Sequence, residues 1–167
     1  NLIKSSIIYV IFTQIITNSI IIILVYLFSN YLSMHFFHSP KAGIALKLMA
    51  IAFFIDSFVN VIKFVFQGFK KVVLFAVIDI VRMSVILIIL IAGLKMNFGL
   101  FSPIFAYIIA PIILLISFGW IFIRNVFPKF LTSSFEVNKK LIKTISSYGI
   151  FVMLSGTAAI VLGYTDT

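Results

Sequence analysis

The chain has no cysteine, which excludes disulfides, thiolate-bound metal and a cysteine nucleophile within it. Charge is scarce as well, at 10% of 167 residues, and only four side chains are acidic: Asp56, Asp79, Glu136 and Asp166. Its histidines, His35 and His38, stand at HxxH spacing without a third ligand nearby, so no metal site is expected. There is no glycine-rich phosphate cradle, no Ser/His/Asp set and no carboxylate pair in a loop. Neither catalytic residues nor a cofactor are therefore expected, and the chain reads as something other than an enzyme. A signal peptide is not visible, because the first apolar run is too long and has no small-residue cleavage site.

Hydrophobic side chains are abundant instead. They make up 63% of the sequence, including 20 Phe, and the mean hydropathy is +1.27. A soluble domain of this length has too small a core to hide so much apolar surface. The apolar runs recur at about 20 residues, the length that crosses a bilayer. Spans are expected at about 6–29, 44–67, 72–94 and 98–123 within residues 1–123, with a fifth over 148–167. The turns QGFKK and KMNF are short, so spans two to four form antiparallel hairpins. The expected fold is all-α, a polytopic transmembrane helix bundle. The chain begins at Asn1 and its last apolar run stops at Thr167, so it is expected to be an internal fragment.

The net charge of +9 does not indicate nucleic acid, since Lys and Arg lie in short loops between spans and not on one basic face. Topology accounts for them. Lys4, Lys70, Lys71, Arg124, Lys129, Lys139, Lys140 and Lys143 fall on one side, and Lys41, Lys47 and Lys95 on the other. The first side is expected to be cytoplasmic, with the N-terminal end there, in a multi-pass protein of the cell membrane. The same cations favour anionic membrane lipids as partners. Residues 124–147 form a linker. Ser133 and Glu136 fit a capping box, and after them Val137, Leu141, Ile145 and Tyr148 share one face while Lys139, Lys140 and Lys143 share the other. That pattern predicts a basic amphipathic helix on the membrane surface. Pro103 and Pro111 fall in the fourth span, where Pro111 predicts a bend.

The unusual feature is polar. Asp56, Asn60, Lys63 and Gln67 follow one another at spacings of four, three and four along one stripe of span two. Counting across the turn centred on Phe69 and Lys70 puts Ser57 level with Arg82 and Asn60 level with Asp79, while Asp79 and Arg82 share a face. Asp56, eleven residues before Gln67, lies ~16 Å deep at 1.5 Å per residue, near the bilayer centre. A lone charge there costs at least ~2.5–3.5 kcal/mol, so these groups are expected to face one another or a watery cavity. Two readings stay open. Either Asp56 pairs with Arg82 and Lys63 with Asp79 to lock the hairpin, or some of these groups line a cavity where Arg82 and Lys63 meet an anion. Gln14 and Asn18, with Thr13 and Thr17 beside them in span one, are expected to bond to neighbouring helices.

The span ending FQGFKK, the basic stretch FPKFLTSSFEVNKKLIKTISSYG and the following span GIFVMLSGTAAIVLGYTDT with its late aspartate resemble a middle section of the Wzx-like flippases, which move lipid-linked oligosaccharide or polysaccharide precursors. These belong to the multidrug/oligosaccharidyl-lipid/polysaccharide exporter superfamily. The resemblance implies a two-lobed transporter working by alternating access. Residues 1–123 would belong to the first lobe, 124–147 to the cytoplasmic link, and 148–167 would be the truncated first span of the second lobe. It also implies a lipid-diphosphate-linked sugar as substrate and the rest of the chain as partner. Arg82, then Lys63, would meet the diphosphate with Asn60 beside them, and Asp166 would match the family's aspartate in the second lobe. Asp56 and Asp79 would partly neutralise the cations, by pairing or by ion coupling. A cation-coupled multidrug exporter using Asp56, Asp79 and Asp166, and a non-transporting membrane scaffold, are the competing expectations.

Overall fold

A computed structural model of the chain describes residues 2–99, 101–130, 132, 142–147 and 149. The fold is all-α, and among the described residues four helices are long and apolar enough to cross a membrane: α1 (Leu2–His35), α2 (Pro40–Gly68), α3 (Val72–Lys95) and α4 (Phe101–Ile121), the last together with the turn that follows it to Val126. The expected fifth span apart from Gly149, the capping box at Ser133 and Glu136, most of the amphipathic helix, and Asp166 lie outside the described residues. The chain divides into two compact units. The smaller comprises Asn1–Tyr9 and Ser133–Thr167; within it the Tyr9 hydroxyl and Ser146 Oγ share a hydrogen bond of 2.6 Å. All that follows concerns the larger, Val10–Thr132.

Local chemistry sets the helix ends. Ser39 is extended (φ −145°, ψ 122°) and Pro40 opens α2, the first-turn position where a missing N–H costs nothing. Both short turns close as Schellman motifs. After α2, the Lys70 amide donates to Gln67 O (2.9 Å) and the Lys71 amide to Phe66 O (2.9 Å), with Lys70 in the left-handed region at φ 57°. After α3, the Asn97 amide donates to Leu94 O (3.1 Å) and the Phe98 amide to Gly93 O (3.0 Å), with Asn97 at φ 60°. Each motif satisfies carbonyls that the helix end would leave unpaired and reverses the chain at once. Glycine is the usual occupant of that left-handed position, so Lys70 holds it without that relief.

Helix bounds differ from the sequence expectation chiefly at the ends. α1 runs from Leu2 to His35 instead of 6–29, because polar residues at a membrane surface stop an apolar run without stopping a helix. α4 begins at Phe101 instead of residue 98, since the positive φ of Asn97 (60°) and Gly99 (52°) keeps the chain in a turn. Pro111 lies inside α4, buried, and the helix continues through it to Ile121. Having no N–H, Pro111 leaves the Tyr107 carbonyl without its usual partner.

α4 is the centre of the unit. It packs along both α2 and α3, which touch each other far less. Small residues on α4, Ser102, Ala106 and Ala110, are buried and let the helices approach closely. Around them Phe66, Ile78, Leu114 and Val59 are shielded completely or almost so. α1 meets α2 where Ser33 faces Gly43: a methyl group on Gly43 would sit 3.3 Å from Ser33 Cβ. Most of the large apolar side chains of α1, among them Phe12, Ile20, Ile23, Leu27 and Phe28, are exposed, the arrangement of a helix solvated by lipid.

At the end of the unit that carries Lys70 and Arg124, α4 widens into a π turn, Phe122–Val126. The Phe127 amide reaches back five residues to Phe122 O (2.8 Å). Phe122 itself is buried among the rings of Phe66, Phe69, Phe127 and Phe130, with centroids 5.3–6.4 Å away. A short 3₁₀ turn, Pro128–Phe130, follows.

Candidate functional site

The polar residues of α2 and α3 meet between those helices. Because α4 wedges against both, the gap between α2 and α3 is bridged by long side chains and not by close backbone contact. Asp56, Asn60 and Lys63 project from α2 at helical spacing, and Asp79 and Arg82 from α3. Arg82 Nη1 donates to both Asp56 oxygens at 3.1 Å and to Asn60 Oδ1 at 3.4 Å. The Asn60 amide returns a bond to Asp56 Oδ2 at 3.4 Å, so the carboxylate, guanidinium and amide form a closed set. One turn nearer the hairpin, Lys63 Nζ pairs with the Asp79 carboxylate, and the ammonium stands 4.8 Å from the centroid of the Phe75 ring, within cation–π range.

Both ion pairs anticipated by counting across the hairpin are thus present, and Asn60 joins the first. The site has a third contributor, Asn18, which bonds to a neighbouring helix as its sequence context predicts, through a partner that the count does not give. From α1, Asn18 Nδ2 donates to Ser57 Oγ (2.6 Å), whose own hydroxyl donates to Phe54 O (2.7 Å). Ser57 follows Asp56 by one residue, hence about 100° round the helix, and so faces α1 while Asp56 faces α3. Phase alone would have found it; hydropathy could not, because serine barely changes the local mean. Phe75 was equally legible in position, next to Ala76, which the count sets level with Lys63, but an aromatic in a Phe-rich chain carries no signal.

The pairs are only partly shielded. Side-chain exposure is 16% for Lys63 and 45% for Asp79, and 19% for Arg82 and 23% for Asp56. The formal charges cancel. An anion entering the seam therefore competes with a carboxylate for Arg82 or Lys63, and a cation competes with an ammonium or guanidinium for Asp56 or Asp79. The alternating order of the four charges also permits exchange of partners. Among the described residues no group of three or more His, Cys, Asp or Glu could hold a metal, and His35 stacks on Tyr31 (centroids 5.2 Å, planes 13° apart).

Over 99% of its length the chain is 27% identical to a protein of Methanocaldococcus jannaschii described as an uncharacterized membrane protein. The match covers 35% of that protein, so the chain spans about a third of the length of the relative it matches. No family model matches the chain, and no solved structure does. A membrane protein built of transmembrane helices is the conclusion that geometry and similarity share.

Proposed function

We propose that the chain is part of a flippase of the cell membrane, a non-enzymatic transporter that carries a lipid-linked oligosaccharide or polysaccharide precursor from the cytoplasmic to the outer leaflet by alternating access. The observation that carries this reading is the pair of ion bridges, Arg82–Asp56 and Lys63–Asp79, at hydrocarbon depth yet incompletely shielded. Charges at such depth are costly and tend to mark a transport path. Arg82, Lys63 and Asn60 meet the lipid diphosphate, and Asp56 and Asp79 hold the cations while the substrate is absent. Asp166 serves ion coupling. Binding exchanges carboxylate partners for phosphate oxygens while the freed carboxylates take up protons, and release restores the pairs, so each cation has two alternative anionic partners, as suits a two-state transporter. The Lys and Arg asymmetry supports a cytoplasmic N-terminal end, and membrane lipids and the rest of the chain are the remaining partners.

Reconstitution of the full-length protein tests the proposal. Arg82→Ala and Lys63→Ala should each slow the movement of a fluorescent lipid-diphosphate-linked sugar between leaflets, at equal folded abundance. Wild-type rates in both variants would remove their role. If the residues serve only as a scaffold, Asp56→Leu with Arg82→Leu should leave the rate unchanged. The exposure of Asp79, the largest of the four at 45%, favours one second reading, a cation-coupled multidrug exporter using the carboxylates. Sodium- or proton-driven dye efflux that fails in Asp79→Asn would select it.

A further inference from the structure

The groove between α1 and α2 begins beside Asn18 and runs away from the seam toward the end of the unit opposite Lys70 and Lys71. Ile21, Ile22 and Val25 of α1 and Leu46, Met49 and Phe53 of α2 line it, enclosing about 340 Å³. Its walls carry almost no polar surface. Just past its far end, next in sequence to Leu46 and Val25, lie Lys47 and Tyr26. The Lys47 ammonium donates to Asn30 Oδ1 (3.4 Å) and sits 5.6 Å from the centroid of the Tyr26 ring. Both partners are neutral, whereas Lys63 and Arg82 are bound to carboxylates.

Depth makes the combination informative. Lys47 precedes Asp56 by nine residues, or about 13 Å of helix. With Asp56 near the bilayer centre, Lys47 lies close to the boundary where a hydrocarbon core of about 30 Å thickness ends. A cation with no acidic partner among the described residues thus stands at the level of lipid phosphates, directly over an apolar trough at the level of lipid chains.

We propose that this is a lipid site: the groove holds a hydrocarbon chain of an anionic membrane lipid whose phosphate is bound by Lys47, steadied by Asn30 and Tyr26. Charge complementarity selects the occupant. An apolar helix of a partner protein would fill the trough without answering the ammonium, and a free phosphate would answer the ammonium without filling the trough. The inference does not depend on the translocation reading, because the lipid need not cross the membrane to bind here.

Native mass spectrometry of the full-length protein, released from detergent in the presence of dioleoyl phosphatidic acid or dioleoylglycerol, provides the test. The two lipids share their chains and differ in the phosphate. Lys47→Gln should weaken phosphatidic acid binding about fivefold, the equivalent of ~1 kcal/mol per lysine at a membrane surface, and leave dioleoylglycerol unaffected. Lys47→Arg should keep wild-type affinity, which separates loss of charge from loss of fold. Ile21→Trp, which fills the trough from an exposed position, should weaken both lipids. Equal phosphatidic acid binding in Lys47→Gln and wild type would overturn the proposal. So would full competition by millimolar inorganic phosphate, which would identify a simple anion site, and so would unchanged binding of both lipids in Ile21→Trp.

Discussion

Arg82→Met is expected to destabilise the protein by about 3–5 kcal/mol, because it takes the guanidinium from Asp56 in the membrane interior and leaves the Asn60 amide as the carboxylate's remaining hydrogen-bond partner. The reverse change, Asp56→Leu, should cost a similar amount by stranding the guanidinium. Combining the two removes both charges together, and an apolar pair of similar volume often restores stability or exceeds it. The double variant should therefore be no less stable than wild type, a strongly non-additive cycle. Unfolding in increasing sodium dodecyl sulfate, read by circular dichroism on the purified full-length protein, measures all four corners. A double variant as unstable as the sum of the singles would mean that the charges do not compensate one another.

Gly93→Val should weaken the contact of α3 with α4 by about 1–3 kcal/mol through overpacking. A Cβ on Gly93 would lie 3.0 Å from Ser102 Cβ, 3.1 Å from Ser102 Oγ and 3.4 Å from Ser102 Cα. Part of that contact is backbone, which cannot swing aside, so the helices must separate. At Gly43 the nearest atoms are 3.3 Å away and belong to the Ser33 side chain, so Gly43→Ala should cost distinctly less. Thermal unfolding of Gly93→Ala, Gly93→Val and Gly43→Ala in one detergent sets the order. If Gly93→Val melts with wild type, α3 and α4 do not cross as closely as described.

These two predictions mark where the sequence was informative and where it was silent. The Asp56–Arg82 and Lys63–Asp79 bridges were legible because a five-residue turn fixes relative depth, helical phase fixes the face, and the expense of a lone charge in hydrocarbon forces a partner. The spans were legible for the related reason that hydropathy measures what lipid tolerates. The position of α4 was not. Nothing in the chain says that the fourth helix rather than the second lines the third, since in lipid the choice is made by small residues such as Gly93 and Ser102, whose fit depends on shape and not on polarity. The Schellman turns at Lys70 and Asn97 were hidden because the left-handed residue is not glycine in either. Lys47 looked like one more loop cation until its partners were seen to be uncharged.

The π turn at Phe122–Val126 bears on how such a chain diverges. A π turn accommodates one more residue than the α-helical turn it replaces, and it is a common place for a helix to absorb an insertion without losing register on either side. Deleting that residue would return the turn to α geometry and leave Phe127 and Phe130 close to Phe122, because the bulge alone takes up the change. Homologues that end their fourth helix in plain α geometry should therefore be one position shorter between Trp120 and Pro128, with rings at the same positions closing that end of the bundle.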